Sequence, residues 1–169
     1  MNRKQLEQLN QKCLYEVYDD EQETNDFRVG YIRVIFDSFI ILEKYHTRVG
    51  FDGFALVANE AIFKVQQDTQ YLKPYQNLNR PQEQIPELSE EGDTLLNFLE
   101  WTKKNNKLVE IMTVWDELII GTIETIEANL VMINTLAPEE FASDGKCFIE
   151  CDNIVDICID TARLKFITA

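Results

Sequence analysis

The chain contains an internal repeat, and this feature restricts its fold more than any local motif does. The segment 30–42 aligns without a gap with the segment 121–133, and each segment begins with a glycine. The match continues after an insertion of one residue in the second copy. There, Asp52-Gly53 aligns with Asp144-Gly145, segment 62–65 with 154–157, and segment 68–69 with 160–161. A repeat of this kind is one supersecondary unit present twice. The sequence therefore predicts two copies of one β-rich unit.

Each copy is predicted to be a short helix followed by five strands. Asn2 and Asp93 are helix-capping residues, and each precedes apolar residues at helical spacing. The strands are predicted at 13–18 and 107–115, in two long strands after each glycine, and in final pairs at 54–58 with 62–66 and at 147–151 with 154–159. A variable loop is expected before each final pair, at 45–51 and 137–143. A turn should follow at each Asp-Gly, because glycine accepts a positive φ.

Prolines and polar composition indicate a linker between the copies. Pro74, Pro81 and Pro86 interrupt a polar stretch that runs to Gly92. Proline neither continues a helix nor donates a hydrogen bond to a sheet. We therefore predict a first repeat at 1–80, a linker at 81–92 and a second repeat at 93–169.

The repeated motif resembles that of the Sm-like family of small β-barrels. The first copy matches the family's first motif with Gly30, Ile32, Ile35, Asp37 and Phe39, and the second copy matches it with Gly121, Ile123, Ile126 and Leu130, with Ala128 in place of the aspartate. The family's second motif is similar to the segments 56–65 and 148–157. The resemblance implies a mainly β fold of two tandem Sm-like or SH3-like five-stranded barrels, each preceded by a short α-helix. Another small barrel, such as a PRC-type one, is the alternative.

The residues that contact RNA in the Sm-like family are largely replaced. Ile40 and Val131 stand in place of the base-contacting asparagine. The Arg-Gly pair becomes Ala58-Asn59 in one copy and Glu150-Cys151 in the other, and a carboxylate in place of arginine reverses the sign of the interaction with phosphate. The positions that match the family's ligand sites are candidate interaction residues: Asp37, Phe39, Ala58, Asn59, Asn129, Leu130, Glu150 and Cys151.

The predicted loop of the first copy is a second candidate surface. It contains Tyr45, His46 and Arg48, which offer an aromatic ring for stacking, the only histidine of the chain and a cation for an anionic ligand. Arg28 and Arg33 precede it in the same copy. An RNA-binding protein that acts through the first copy would need these residues to form a basic and aromatic patch.

The charge of the chain is strongly negative and unevenly distributed. The formal net charge is −14. Residues 1–81 hold ten Lys/Arg and twelve Asp/Glu, whereas residues 82–169 hold six Lys/Arg and eighteen Asp/Glu. A field of this sign repels phosphate backbones. It argues against non-specific binding of nucleic acid, and it suits either solubility alone or a basic protein partner.

The sequence contains no motif typical of an enzyme or a metal site. There is no P-loop, no G-x-S-x-G, no H-E-x-x-H and no C-x-x-C pair, and the four cysteines are expected to be reduced thiols. Acidic pairs such as Asp19-Asp20 and Glu139-Glu140 lie in predicted loops, where carboxylates are mostly solvated. We predict neither a metal nor a cofactor. Trp101 and Trp115 are expected to pack the second helix against its strands.

These observations predict a non-catalytic acidic protein that acts as a scaffold or adaptor for other proteins. The resemblance implies that the edges of the fourth and fifth strands pair between units, which would give a homo-oligomer. Two alternatives stay open: a degenerate Sm-like RNA-binding protein, and an acidic inhibitor, of the immunity-protein type, for a basic toxin or nuclease. No apolar run is long enough to cross a membrane, and residues 1–8 have no apolar stretch typical of a secretory signal, so a cytoplasmic location is expected.

Overall fold

The chain is mainly β and divides into two compact units, Met1–Ile85 and Pro86–Ala169. The computed structural model describes residues 1–78, 84–137 and 139–168. Part of the predicted linker, including Pro81, and Pro138 of the second predicted loop lie outside the described residues. The mainly β class predicted from the sequence is confirmed.

The first unit contains an antiparallel sheet of five strands. Its elements are α1 (Arg3–Leu6), β1 (Tyr15–Tyr18), β2 (Arg28–Ile35), β3 (Phe39–His46), β4 (Gly50–Ala58), β5 (Lys64–Gln66) and a 3₁₀-helix (Lys73–Asn77). The strands lie in the order β5-β1-β2-β3-β4. The core contains apolar residues of the repeated segments, among them Ile32, Ile40 and Leu56, which are completely buried.

The second unit has the same strand order. Its elements are α2 (Thr94–Lys104), β6 (Leu108–Thr113), β7 (Leu118–Glu127), β8 (Leu130–Leu136), β9 (Ser143–Glu150), β10 (Ile154–Ile159) and α3 (Ala162–Thr168). The strands lie in the order β10-β6-β7-β8-β9. The core contains Phe98 and Leu99 of α2 together with Val109, Ile111 and Ile133 of the sheet, all completely buried.

The sheet of each unit is open rather than closed. Among the described residues, no pairing joins β5 to β4 in the first unit or β10 to β9 in the second. The predicted closure into two small barrels is therefore not confirmed. The strand number and the strand order are nevertheless the same in the two units.

The two repeated glycines are required by the close approach of neighbouring strands. A Cβ added at Gly30 would lie 2.4 Å from the carbonyl oxygen of Glu43, and one added at Gly121 would lie 2.2 Å from that of Asn134. No side chain tolerates such an overlap with backbone, so both copies keep glycine at this position.

The Asp-Gly pairs form β-bulges, so the prediction of turns at these positions was wrong. Gly53 has a φ of +81° and Gly145 a φ of +83°, which is the conformation that the sequence predicted. Each glycine lies inside a strand, however, at a register shift where two residues of β4 or β9 face one residue of the neighbouring strand. A glycine with positive φ is typical of such a bulge, which bends a strand without ending it.

The first predicted loop is much shorter than expected. β3 continues through His46 and β4 begins at Gly50, so the prediction of a loop over 45–51 was wrong. Backbone pairing of Tyr45 with Phe51 and of His46 with Gly50 extends the hairpin. In the second unit β8 ends at Leu136 and β9 begins at Ser143.

Both predicted helix caps are confirmed. The side chain of Asn2 accepts a hydrogen bond of 3.0 Å from the backbone N–H of Gln5, and that of Asp93 accepts one of 3.0 Å from Leu96. Within the described parts of the chain, no helix has the length and apolar character needed to span a membrane.

Each unit ends in a helical segment that the sequence analysis did not predict. After β5, the hydroxyl of Thr69 accepts a hydrogen bond of 3.3 Å from the N–H of Leu72; after β10, the hydroxyl of Thr161 accepts one of 3.1 Å from Leu164. Thr161 directly precedes α3, whereas Thr69 closes a turn that leads to the 3₁₀-helix, which begins at Lys73. The repeat therefore extends beyond the last strand.

Candidate functional site

In the first unit, the structure brings the β2–β3 turn and the end of β4 together. Phe39 pairs with Ala58 at the ends of β3 and β4. The backbone N–H of Asn59 donates a hydrogen bond of 2.8 Å to the carbonyl oxygen of Ser38. The four candidate residues of this copy, which also include Asp37, are therefore neighbours, although they are separated in sequence.

The side chain of Asn59 holds this turn together from inside the fold. It is only 3 % exposed, and its Nδ2 donates hydrogen bonds of 2.9 Å and 3.1 Å to the carbonyl oxygens of Phe36 and Asp37. Its Oδ1 accepts no hydrogen bond from the described residues. The carboxylate of Asp37 points outward and binds Arg3 of α1 at 2.8 Å. These two side chains are thus engaged in local structure.

In the second unit the same geometry recurs with different side chains. Leu130 pairs with Glu150, and the N–H of Cys151 donates a hydrogen bond of 2.8 Å to the carbonyl oxygen of Asn129. Ala128, which replaces the aspartate of the motif, adopts a φ of +52° at the tip of the turn. The structure therefore brings together the four candidate residues of this copy as well.

The chemistry at this position of the second unit is acidic and unreactive. Glu150 is exposed, whereas Cys151 is buried in the single 3₁₀ turn Cys151–Asn153. Burial, followed by the negative charges of Asp93 and Asp152, raises the pKa of the Cys151 thiol. A thiol with a raised pKa is a poor nucleophile and a poor metal ligand. An exposed carboxylate beside it repels anions.

The second candidate surface, predicted at Tyr45, His46 and Arg48, does not form as expected, because Tyr45 is not on a surface loop. Its side chain is 6 % exposed and packs in a cluster with Val29, Leu72 and Tyr75, the last of these in the 3₁₀-helix. Its hydroxyl donates a hydrogen bond of 2.6 Å to the buried carboxylate of Glu43. The prediction of an accessible ring at Tyr45 was therefore wrong, since a helix that the sequence did not reveal covers it.

His46 and Arg48 remain at the surface of the first unit. Both are exposed, and the imidazole Nδ1 of His46 accepts a hydrogen bond of 3.2 Å from the backbone N–H of Arg48. The other two arginines considered for this patch are engaged elsewhere. Arg28 binds Asp19 at 2.8 Å, and Arg33 binds the buried carboxylate of Glu43.

A surface that sequence reasoning missed lies at the β6–β7 turn. Val114 is 56 % exposed and Trp115 is 53 % exposed. The prediction that Trp115 packs helix α2 against the sheet was therefore wrong; Trp101 is half-buried, and its ring lies 6.4 Å from that of Phe98. Two large apolar residues at the tip of a hairpin were the available signal, because a tip has little surface on which to bury them.

Clustered metal ligands and disulfides are not found in the described part of the chain. No group of three or more His, Cys, Asp or Glu side chains is placed to hold a metal ion. All four cysteines are thiols, and Cys151 and Cys158 are buried. Neither a protein-family model, nor a curated protein, nor a solved structure matches this chain.

Proposed function

We propose that the chain is a non-catalytic scaffold or adaptor of two tandem Sm-like units, which binds proteins and associates with further copies of itself. The observation that carries this proposal is the strand order shared by the two units. In each of them the fifth strand lies beside the first, so the fourth and fifth strands are the terminal strands of the unit's own sheet. A terminal strand directs backbone groups away from its sheet, and pairing with the terminal strand of another unit satisfies them.

The charge of the second unit supports a protein partner rather than RNA. The segment 108–145 contains eight Asp/Glu and no Lys/Arg. Glu150 extends this acidic character to the position where the Sm-like family has arginine. Basic proteins are attracted by such a field, whereas nucleic acid is repelled. The same observation favours a second candidate function, an acidic inhibitor of a basic toxin or nuclease.

The arrangement of the first unit weakens the RNA-binding alternative. That alternative needs a stacking ring and free cations on one surface. Tyr45 is buried, and Arg28 and Arg33 are each paired with a carboxylate. Only His46 and Arg48 of the five residues considered are exposed. One imidazole and one guanidinium, without the tyrosine ring, offer RNA only a small surface for stacking and charge attraction.

Light scattering coupled to size-exclusion chromatography tests the proposal. The full chain is measured over a concentration and salt series, with and without cellular RNA. We expect a defined oligomer whose mass does not change when RNA is added. Co-elution with RNA that weakens as salt rises would contradict the proposal, since phosphate binding is strongly salt-dependent. The double variant His46→Ala with Arg48→Ala should then lose that RNA.

A matched pair of variants tests whether the terminal strand β9 mediates association. Phe148 on β9 is 61 % exposed, and Phe166 on α3 is 74 % exposed. We expect Phe148→Asp to lower the mass of the oligomer, because a charge beside the edge opposes strand pairing. Phe166→Asp, the same change outside the sheet, should leave the mass unchanged. Equal masses for the two variants would argue against association through β9.

A further inference from the structure

The β6–β7 connection is a tight turn that holds two apolar side chains at its tip. The N–H of Thr113 donates a hydrogen bond of 3.0 Å to the carbonyl oxygen of Glu117, and Asp116 adopts a φ of +62°. This is the pattern of a three-residue hairpin loop that closes with a residue in the left-handed region. The buried hydroxyl of Thr113 also accepts a hydrogen bond of 3.0 Å from the N–H of Glu117. Two hydrogen bonds therefore close the turn, and Val114 and Trp115 are exposed at its tip.

A third exposed apolar residue lies on the strand beside this turn. The N–H of Val114 donates a hydrogen bond of 3.0 Å to the carbonyl oxygen of Asn153, and Ile154 pairs with Thr113. The next residue, Val155, is at a register shift between β10 and β6 and is 38 % exposed. We call Val114, Trp115 and Val155 the turn surface.

The indole of Trp115 is held in position by its own turn. Its Nε1 donates a hydrogen bond of 2.8 Å to the carboxylate of Glu117. The ring therefore reaches a partner with its polar group already satisfied and its apolar faces available. Tryptophan in such a pre-arranged position is the residue type most often found at the energetic centre of a protein interface.

The charged residues that adjoin the turn surface in sequence are all acidic. Asp116, Glu117 and Asp152 are exposed and adjoin it in sequence. The first basic residue after β6 begins is Lys146, whose ammonium binds Glu124 at 2.8 Å. An apolar centre with an acidic rim complements a partner that has an apolar side chain between lysines or arginines. A cation over the indole face would add further attraction.

We propose that the turn surface is the docking site for a basic polypeptide segment, with an apolar side chain of the partner seated against Trp115 and its flanking cations on Asp116, Glu117 and Asp152. This inference rests on the proposed adaptor function and gives it a surface and a class of partner. It does not require self-association, which the terminal strands would mediate.

Fluorescence titration tests the proposal directly. The full chain with Trp101→Phe retains Trp115 as its only tryptophan. A short tryptophan-free peptide of alternating Lys and Leu serves as the probe. We expect binding with a shift of the emission to shorter wavelength, because leucine covers the indole. A Glu/Leu peptide and a Lys/Ser peptide should each bind at least about tenfold more weakly, since one reverses the charge and the other lacks the apolar anchor.

Calorimetry on the otherwise unaltered chain assigns the site. Trp115→Ala should weaken binding of the Lys/Leu peptide about tenfold or more. Asp152→Asn should weaken it about threefold and reduce its salt dependence. Phe166→Ala removes an exposed ring on α3 and should have no effect. Circular dichroism verifies that each variant is folded.

Two results would overturn the proposal, namely no binding of the Lys/Leu peptide, or unchanged affinity in Trp115→Ala. The latter would mean that the peptide responds only to the overall negative charge. If the peptide fails to bind while light scattering finds the RNA-independent oligomer, this inference is wrong and the proposed function is retained. If the peptide binds at Trp115 while the chain is monomeric, the self-association is wrong and the docking site is supported.

Discussion

The connections β1–β2 and β6–β7 occupy the same place in two units of equal strand order. They differ in whether their apolar side chains are covered by the rest of the unit. In the first unit the longer connection returns Phe27 to the fold, where its ring lies 5.0 Å from that of Tyr18 and 4.8 Å from that of Tyr71. In the second unit the shorter turn leaves Val114 and Trp115 exposed. The longer connection thus covers an apolar patch from within the unit, whereas the shorter one leaves it exposed.

The strand residues next to these connections also differ between the two units. Because Tyr15 pairs with Gly30 as Val109 pairs with Gly121, Tyr18 corresponds to Met112. The ammonium of Lys64 lies 3.5 Å from the centre of the Tyr18 ring, and the hydroxyl of Tyr18 binds the buried carboxylate of Glu16 at 2.8 Å. The first unit has therefore built a second small core here. The second unit has the same strands at this place but a methionine, Met112, instead of the tyrosine.

The largest effect is expected from breaking what the two units share. Gly30→Ala and Gly121→Ala should each destabilise their unit by about 3–4 kcal/mol, because the new methyl group overlaps a backbone carbonyl oxygen. Urea unfolding measures the loss. Gly50→Ala is the control, since its added methyl group meets nothing within 4 Å and costs only the strain of its φ of +76°, about 1 kcal/mol. An equal loss at Gly30 and Gly50 would contradict the close approach.

An intermediate effect is expected at alkaline pH in the first unit. Burial, followed by the hydrogen bond to Glu16, raises the pKa of Tyr18 from 10.0 to about 12. Below pH 10 the phenol is protonated in both states, whereas between pH 10 and pH 12 it ionises only in the unfolded chain. Stability present below pH 10 should therefore be lost across this window, by about 2–3 kcal/mol.

Tyr18→Phe isolates that contribution. The variant should lose stability less steeply than the unaltered chain as pH rises, as followed by urea unfolding at successive pH values. Met112, the counterpart in the second unit, cannot titrate. Parallel pH profiles for the variant and the unaltered chain would show that Tyr18 ionises as readily in the fold as in water.

The smallest effects are expected from the residues that distinguish the two connections. Phe27→Ala should destabilise the first unit by about 1–2 kcal/mol, because it removes two ring contacts from a half-buried side chain. Trp115→Ala should change the free energy of unfolding by no more than about 0.5 kcal/mol, since half of its ring is solvated. A larger loss for Trp115→Ala than for Phe27→Ala would reverse the comparison between the units.

Much of the backbone could be predicted from the sequence, because it depends on local chemistry. Asn2 and Asp93 begin helices through hydrogen bonds to residues three positions later, and the glycines of the Asp-Gly pairs have the predicted positive φ. The ends of β3 and β4 were less predictable. Pairing between Tyr45 and Phe51 extends that hairpin, and nothing in the local polarity of the segment reveals it.

The position of the candidate site could be predicted from the sequence, but the exposure of the side chains around it could not. Phe39 pairs with Ala58 in the first unit, and Leu130 pairs with Glu150 in the second. These are corresponding positions of the repeated motif, from which the candidate residues were chosen. It also places Tyr45 under the 3₁₀-helix and exposes Trp115. Exposure of a ring depends on what packs over it from elsewhere in the chain.

The sequence by itself determined the repeat with its two glycines, the helix starts and the acidic second half, because each follows from residue type and local chemistry. Only the tertiary structure decided which of two corresponding surfaces is covered. Phe27 reaches Tyr71 across most of the first unit, and no residue of comparable reach covers Trp115 within the described second unit. Burial is a property of contacts between distant segments, and a pattern read along the chain does not contain those contacts.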